Sequence, residues 1–230
     1  LAIRSARAIP VSADEMPQYH PTTPQLCDRA GLPMPRLYVS PDAQPNAFAT
    51  GRSPDHAAVC VTQGLLQTLG WDEIQGVLAH ELSHVRNRDI LIGSVAAAVA
   101  MGITFMAYVG RFAMIFGGGG RSDSRDNPFG ALLMVILAPI AAGLIQAAIS
   151  RSREFEADAS AARLIGSGEP LARALEKLDA GAQRIPSPVN PAEASAYIVN
   201  PLRGRNLPAW FSTQPPAAER IARLRSDAWV

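Results

Sequence analysis

Two long runs without a charged residue constrain the fold of this chain more than any other feature of its sequence. The first run covers residues 90–110 and has 21 residues, and the second covers residues 129–150 and has 22. A helix needs about 20 predominantly apolar residues to cross a lipid bilayer. We therefore predict a transmembrane helical hairpin over residues 90–150, in which the apolar character of the first helix extends to residue 116.

The same two runs have an alternative interpretation, as buried helices of a soluble protein. Buried helices of soluble proteins rarely lack charge over their whole length, which favours the membrane. Arginines 86, 88, 151 and 153 flank the outer ends of the hairpin, and the loop at residues 117–128 is glycine-rich and polar. This weak charge bias slightly favours a cytoplasmic position for the outer ends.

A His-Glu-x-x-His motif, formed by His80, Glu81 and His84, precedes the first apolar run. The helical spacing of the surrounding apolar residues predicts a helix here, with Asp72 as its N-cap. On that helix both histidines lie on one face, with Glu81 beside them. This arrangement is typical of zinc peptidases, in which the glutamate is the general base. The bare pattern also occurs on helices that carry two surface histidines.

A zinc site on this motif needs a third protein ligand and an open fourth position. Glu154 is our candidate, because the hairpin would return the chain to the side of the membrane where the motif lies. Asp158 follows one turn later, where it could accept the N–H of a ligand histidine. Glu156 is the rival ligand, although it faces another side of the helix. The acidic cluster could also be a solvated helix face, balanced by Arg151 and Arg153.

The rest of the sequence predicts a small sheet and several helices around the motif. We expect a protease domain in two parts, residues 1–89 and 151–230, on either side of the hairpin. The predicted strands are residues 36–40, 46–50 and 57–62, the predicted helices are residues 24–31, 63–69, 154–166, 171–182 and 217–226, and a long loop is predicted at residues 184–216.

The bulk composition excludes some classes of protein. A net charge of +1 argues against nucleic acid as a partner. The two cysteines, Cys27 and Cys60, lack the spacing of a zinc site and imply no disulfide framework. The chain begins at Leu1, which indicates a fragment or a processed chain.

Three segments of the sequence together resemble the HtpX-type membrane zinc metalloproteases. They are NAFATG at residues 46–51, HELSHVRNRD at residues 80–89 and SRSREFEAD at residues 150–158. The resemblance extends from about residue 33 to the C-terminus, and the CAAX prenyl endopeptidases are more distant relatives. It implies a zincin-type (gluzincin) fold, mostly α with a small β-sheet, that is interrupted by the transmembrane helical hairpin.

The resemblance also implies the chemistry and the location of the protein. It implies one zinc ion per chain, bound by His80, His84 and Glu154, with Glu81 as the general base. It implies a multi-pass protein of the cell membrane, with its catalytic domain facing the cytoplasm, that degrades damaged or misassembled membrane proteins under stress. Members of the family usually have two more membrane helices ahead of the point where this chain starts.

The strand at residues 46–50 resembles the edge of the family fold that faces the substrate. An extended peptide could pair with this edge through backbone hydrogen bonds. Asn46, Ala47 and Phe48 are therefore candidate substrate-binding residues. Asn46 has an equally good alternative role, in which it only shapes the turn after Pro45.

Two further candidates lie near the C-terminus. Gln214 stands where the family usually has a histidine close to the zinc-bound substrate. Glutamine can donate a hydrogen bond but cannot become cationic, so we expect lower activity. Arg220 matches a position of the family that could point into the cleft, or it could form an ion pair with an acid on the last helix.

Three functions are consistent with these patterns. The first is an integral-membrane zinc endopeptidase that acts on protein substrates at the lipid bilayer. The second is a non-enzymatic membrane scaffold with a structural metal, which the absence of a cysteine near the motif disfavours. The third is a soluble metallopeptidase whose apolar helices form its core.

Overall fold

The described part of the chain is mainly helical, with one small sheet. The structure is a computed structural model that describes residues 2–12, 14–16, 18–116, 128–182, 198, 213–226 and 229. Within these ranges the helices are α1 (Ala2–Ser5), α2 (Tyr19–Ala30), α3 (Gln63–Thr68), α4 (Trp71–Arg86), α5 (Asp89–Phe116), α6 (Pro128–Ile165), α7 (Glu169–Ala182) and α8 (Ala217–Arg225). The strands are β1 (Ile9–Pro10), β2 (Arg36–Ser40), β3 (Ala47–Thr50) and β4 (Ala58–Thr62), and a short 3-10 helix covers Pro54–His56.

The sheet has the strand order β1-β2-β4-β3, so β3 lies at one edge. Strands β2 and β4 are parallel, and β3 is antiparallel to β4. The Thr62 N–H donates to the Asn46 carbonyl at 2.9 Å. This bond determines which residues of β3 direct their backbone groups toward β4, because these residues alternate along the strand. In this register Ala47 and Ala49 direct their backbone N–H and C=O groups away from β4. The outer edge of the sheet is therefore formed by those two residues.

Helix α4 lies at the centre of the fold and packs against the sheet, α6 and α7. Its apolar side chains Ile74, Leu78 and Leu82 are at most 1% exposed. A Cβ atom on Gly76 would lie 2.7 Å from the Leu171 backbone nitrogen. The absence of a side chain at Gly76 is therefore what allows α4 and α7 to approach so closely.

The start of α4 differs from the sequence prediction, because Gly70 and not Asp72 is the N-cap. The Gly70 N–H donates to the Glu73 carboxylate at 2.8 Å, the contact that a glutamate three residues after the cap is able to make. The Asp72 carboxylate pairs instead with Arg173 on α7. Asp72 therefore lies inside the first turn, where it links α4 to α7.

Helix α6 joins two predicted elements into one. The second apolar run, residues 129–150, and the helix predicted at residues 154–166 form a single continuous helix. Its last turns carry Glu154 and Asp158, whose side chains face α4 and α8. These carboxylates are therefore on the rigid continuation of the apolar segment.

Among the described residues, one helical segment is long and apolar enough to cross a membrane. This segment, Leu91–Gly110 within α5, has a mean hydropathy of 1.9 and buries none of its most apolar stretch. Large side chains such as Phe105 and Met106 are 66% and 67% exposed. An apolar face of this extent is rare on a soluble monomer and marks an interaction surface. The side chains of α6 before residue 137 lie outside the description, so the second predicted span is not tested.

Most other predicted elements match the structure to within one or two residues. The strand at residues 36–40 is confirmed, and β3 and β4 each begin one residue later than predicted. The helix predicted at residues 24–31 was placed too late: it begins at Tyr19 and includes Pro24. The short elements α1 and β1 were not predicted. The loops predicted at residues 117–128 and 184–216 lie outside the described residues, apart from Pro128, Ile198 and residues 213–216.

Candidate metal centre

The three predicted metal ligands come together in the structure. The Nε2 atoms of His80 and His84 are 3.1 Å apart, and each lies 3.6 Å from a carboxylate oxygen of Glu154. A zinc ion with bonds of about 2.0–2.1 Å places its tetrahedral ligands about 3.3–3.4 Å from one another. The two imidazole nitrogens approach different oxygens of the Glu154 carboxylate, Oε2 and Oε1, and the three side chains together have the chemistry and about the spacing of three zinc ligands.

The structure distinguishes Glu154 from its rival. Glu156 is exposed, and its carboxylate forms an ion pair with Arg163 at 2.8 Å. Within the described residues, His80, His84 and Glu154 form the group whose donor atoms could hold a metal ion. Glu154 faces this group because α6 packs directly against α4.

Two buried charges support His80 from behind. Its Nδ1 atom lies 3.0 Å from an Asp158 oxygen, the position predicted for that carboxylate. Arg220 donates two hydrogen bonds of 2.7 Å to Asp158 and lies 3.3 Å from Glu154. Arg220 is 2% exposed, so it lies beneath the site and not in an open cleft. Of its two predicted roles, the ion pair is the one observed, but the acid is on α6 and not on the last helix.

Asp89 supports His84 in the same way, and the sequence analysis did not identify it. Its carboxylate oxygen lies 2.5 Å from His84 Nδ1, and the residue is 7% exposed. Asp89 is the first residue of α5, and its carbonyl accepts a hydrogen bond from Arg153 on α6. Its signal in the sequence is an acid five residues after the second histidine, immediately before an apolar run.

Glu81 is held by the edge of the sheet. Its carboxylate accepts a hydrogen bond of 2.8 Å from the backbone N–H of Ala49, one of the groups that β3 directs away from β4. Glu81 is 6% exposed, and the two motif histidines are close enough to act on its charge. The strand backbone therefore fixes the orientation of this carboxylate.

The surroundings of Glu81 and Glu154 shift the pKa values of their carboxyl groups in opposite directions. Burial raises the pKa of Glu81, and the nearby His80 and His84 only partly oppose this. Burial would also raise the pKa of Glu154, but its contact with His80 and the charge of Arg220 hold it well below its usual range. Glu154 therefore favours the ionised form that a ligand needs, whereas Glu81 is the carboxyl group best suited to take up a proton.

The same charges act on His80. Burial alone would lower the pKa of the imidazole, but the adjacent Asp158 and Glu154 carboxylates together raise it to about 9. A carboxylate behind the ring also makes a ligand histidine more basic and fixes its orientation.

The predicted substrate-binding residues are mostly covered. Asn46 is 5% exposed and its side-chain oxygen accepts a hydrogen bond from the Ile198 N–H at 3.2 Å. The Ile198 carbonyl in turn accepts from Arg220 at 2.9 Å. Ala47 and Gln214 are 1% and 8% exposed, whereas Phe48 is partly exposed. Asn46 thus connects β3 to the charges beneath the metal centre.

Comparisons with known proteins identify the family. Residues 14–228 match the description of peptidase family M48. The chain belongs to this family. Its relatives include two proteins named Protease HtpX homolog. The one from Syntrophotalea carbinolica is 55% identical, and the match covers 88% of this chain and 73% of the relative. The one from Pelotomaculum thermopropionicum is 50% identical, and the match covers 99% of this chain and 82% of the relative. The predicted resemblance is thereby confirmed, and the chain is a metalloprotease.

A solved structure shows that the fold is shared. The crystal structure of S. mikatae Ste24p is similar to this chain with a TM-score of 0.62 and 24% sequence identity. The similarity covers 94% of this chain and 51% of that one. The mostly helical architecture with a small mixed sheet is therefore that of this metalloprotease fold.

We predict that Asp89→Ala weakens zinc binding by about 10- to 100-fold, because His84 loses the carboxylate that orients it. The measurement is a competitive titration of the purified protein against a chromophoric chelator. Glu156→Ala, which removes an exposed carboxylate from the neighbouring helix, serves as the control and should bind zinc like the unaltered chain. Equal affinity in the Asp89 variant would show that His84 is positioned without it.

Proposed function

We propose that this chain is an integral-membrane zinc endopeptidase that hydrolyses damaged or misassembled membrane proteins. The observation that carries the proposal is the triad of His80, His84 and Glu154, whose donor spacing suits zinc, with the Glu81 carboxylate held beside it. Family membership supports the proteolytic activity. The zinc ion, its ligands and the membrane substrates are parts of this proposal.

The proposed reaction divides the work between the metal and one carboxylate. When bound, zinc supplies a Lewis acid that acidifies a water molecule and polarises the peptide carbonyl. Glu81 takes the proton of the attacking water and then donates it to the leaving amine. Its buried position raises the pKa of Glu81, which makes the carboxylate a better proton acceptor than an exposed glutamate.

The connection between the metal centre and α5 supports the proposed location at the membrane. Asp89, which contacts His84, is followed directly by the exposed apolar segment Leu91–Gly110. If this segment spans the bilayer, then the metal centre lies within a few residues of the membrane surface. We propose that α6 completes the hairpin, that the catalytic part faces the cytoplasm, and that the substrates are proteins of the same bilayer.

We propose that β3 is the edge to which the substrate backbone adds. Phe48, Ala49 and Thr50 are partly exposed, whereas Asn46 and Ala47 are buried. The Ala49 N–H is already bonded to Glu81, so its outward carbonyl is the group that can accept a hydrogen bond from a substrate. Asn46 contributes indirectly in this proposal, through Ile198 and Arg220.

We predict that Glu81→Gln lowers the rate of casein hydrolysis by about 100-fold or more, because the amide cannot take up the proton of water. The zinc content, measured by atomic emission on the same detergent-purified sample, should stay at the level of the unaltered chain. Substantial hydrolysis by the zinc-loaded variant would rule out Glu81 as the general base.

We also predict that Ala49→Pro lowers kcat by about 10- to 100-fold, because proline removes the backbone donor that orients Glu81. Proline is tolerated here because the Ala49 N–H points away from β4 at the sheet edge. Ala49→Gly keeps the donor and serves as the matched control. A change in KM with kcat unaffected would indicate that this N–H binds the substrate and does not position the base.

A further inference from the structure

A pocket of about 270 Å³ opens beside His84, at the end of β3. Thr50 contributes to its lining from the strand, and Val85 and Leu91 contribute apolar surface from α4 and α5. No role for this pocket follows from the metal centre itself. Its position next to a ligand and at the end of the edge strand places it where a substrate side chain would lie.

The charged groups around this pocket are unbalanced. Arg52 and Arg88 line it, against the single acid Asp55. Arg52 is held in place by His56, whose Nε2 lies 3.1 Å from the guanidinium. Among the described residues Arg88 forms no ion pair, and it is exposed. The lining therefore combines two guanidinium groups with apolar side chains, which is the chemistry that receives a carboxylate on an aliphatic stem.

The backbone of Arg88 has a conformation that is uncommon for a residue other than glycine. Its φ angle is +55°, and only one other non-glycine residue in the described ranges, Arg7, has a positive φ. This conformation costs an L-residue about 1–2 kcal/mol. Helices commonly end in such a residue, but it is usually glycine, which adopts the conformation without strain. Arg7 adopts the same conformation outside the pocket, so the angle alone assigns no role to Arg88, and Arg7 provides a matched position for a control substitution.

The direction of β3 indicates which part of a substrate reaches the pocket. The strand runs from Ala47 to Thr50, so its C-terminal end is at the pocket. A substrate that pairs antiparallel with this edge, as β4 does on the other side, runs in the opposite direction. The residues before the cleaved bond would then lie beside Arg88.

We propose that this pocket is a subsite for an acidic side chain on the N-terminal side of the cleaved bond, with Arg88 as its recognition residue. The proposal rests on the proposed function, because it assumes proteolysis at the His80, His84 and Glu154 centre. It extends that function by naming a class of sequence that the protease prefers.

The test is a digestion of a synthetic peptide library by the detergent-purified, zinc-loaded protein, with each cut mapped by mass spectrometry. We expect Asp and Glu to be enriched about three- to ten-fold over Asn and Gln at one of the three positions before the cut. Arg88→Gly should abolish the enrichment, and Arg88→Glu should replace it with a preference for Lys and Arg.

Arg7→Gly is the matched control, because it makes the same backbone change at a site outside the pocket. It should keep the enrichment of the unaltered chain. Neither glycine variant should lower the melting temperature, because glycine relieves the strain of a positive φ. A lost preference in Arg88→Gly together with an unchanged melting temperature would therefore report recognition and not unfolding.

The failure of the subsite and the failure of the proposed function give different results. Cleavage by the unaltered chain without acidic enrichment, or enrichment that survives Arg88→Gly, would overturn the subsite and leave the protease intact. A zinc-loaded chain that cleaves no peptide in the library and no casein would overturn the proposed function, and the subsite with it.

Discussion

The packing of α4 against α6 is the interaction on which the rest of the site depends. It brings two histidines from one helix to a glutamate from the other, although the whole apolar segment separates them in sequence. The contact collects several carboxylates in a small volume, and the buried Arg220 offsets two of them through Asp158 and Glu154. Removing one partner of a buried pair commonly costs about 3–5 kcal/mol, because the other charge is left uncompensated. Arg220 therefore links the packing of α8 against α6 to the geometry of the candidate metal centre.

The arrangement also connects the metal centre to the apolar part of the chain. Asp89 contacts His84 and starts α5, and Arg153 binds the Asp89 carbonyl from α6. Glu154 follows Arg153 directly in the sequence. His84 is thus held by the first residue of α5, and Glu154 is part of α6. In this chain the candidate ligands therefore keep their positions relative to one another although a long apolar segment separates them in sequence.

The predicted site residues that the structure brings together are those whose spacing is local. His80, Glu81 and His84 occupy one helix with a fixed period, and Asp158 follows Glu154 by one turn. Their side chains meet where the helical period places them. Glu154 could be chosen because a hairpin must return the chain to its starting side. Three of the four strands of the sheet were predicted to within one residue, from short runs of β-branched residues between turns.

The parts that the sequence did not predict depend on backbone groups or on distant partners. The donor to Glu81 is the N–H of Ala49, and every residue except proline carries such a group, so nothing in the sequence marks it. The role of Asn46 depends on Ile198, which lies far along the chain. The cap of α4 was predicted at Asp72, but the helix starts at Trp71 after Gly70, and Asp72 pairs with Arg173 of α7, a partner about a hundred residues away that local spacing does not indicate.

The most direct test of this account is the zinc content of the detergent-purified protein, measured for the unaltered chain, Glu154→Ala and Glu156→Ala. The account predicts about one zinc ion per chain in the unaltered protein and in Glu156→Ala, and loss of the ion in Glu154→Ala, because three protein ligands are needed for a stable catalytic site. Full zinc occupancy in Glu154→Ala would contradict it, since the metal centre could not then be built across α4 and α6.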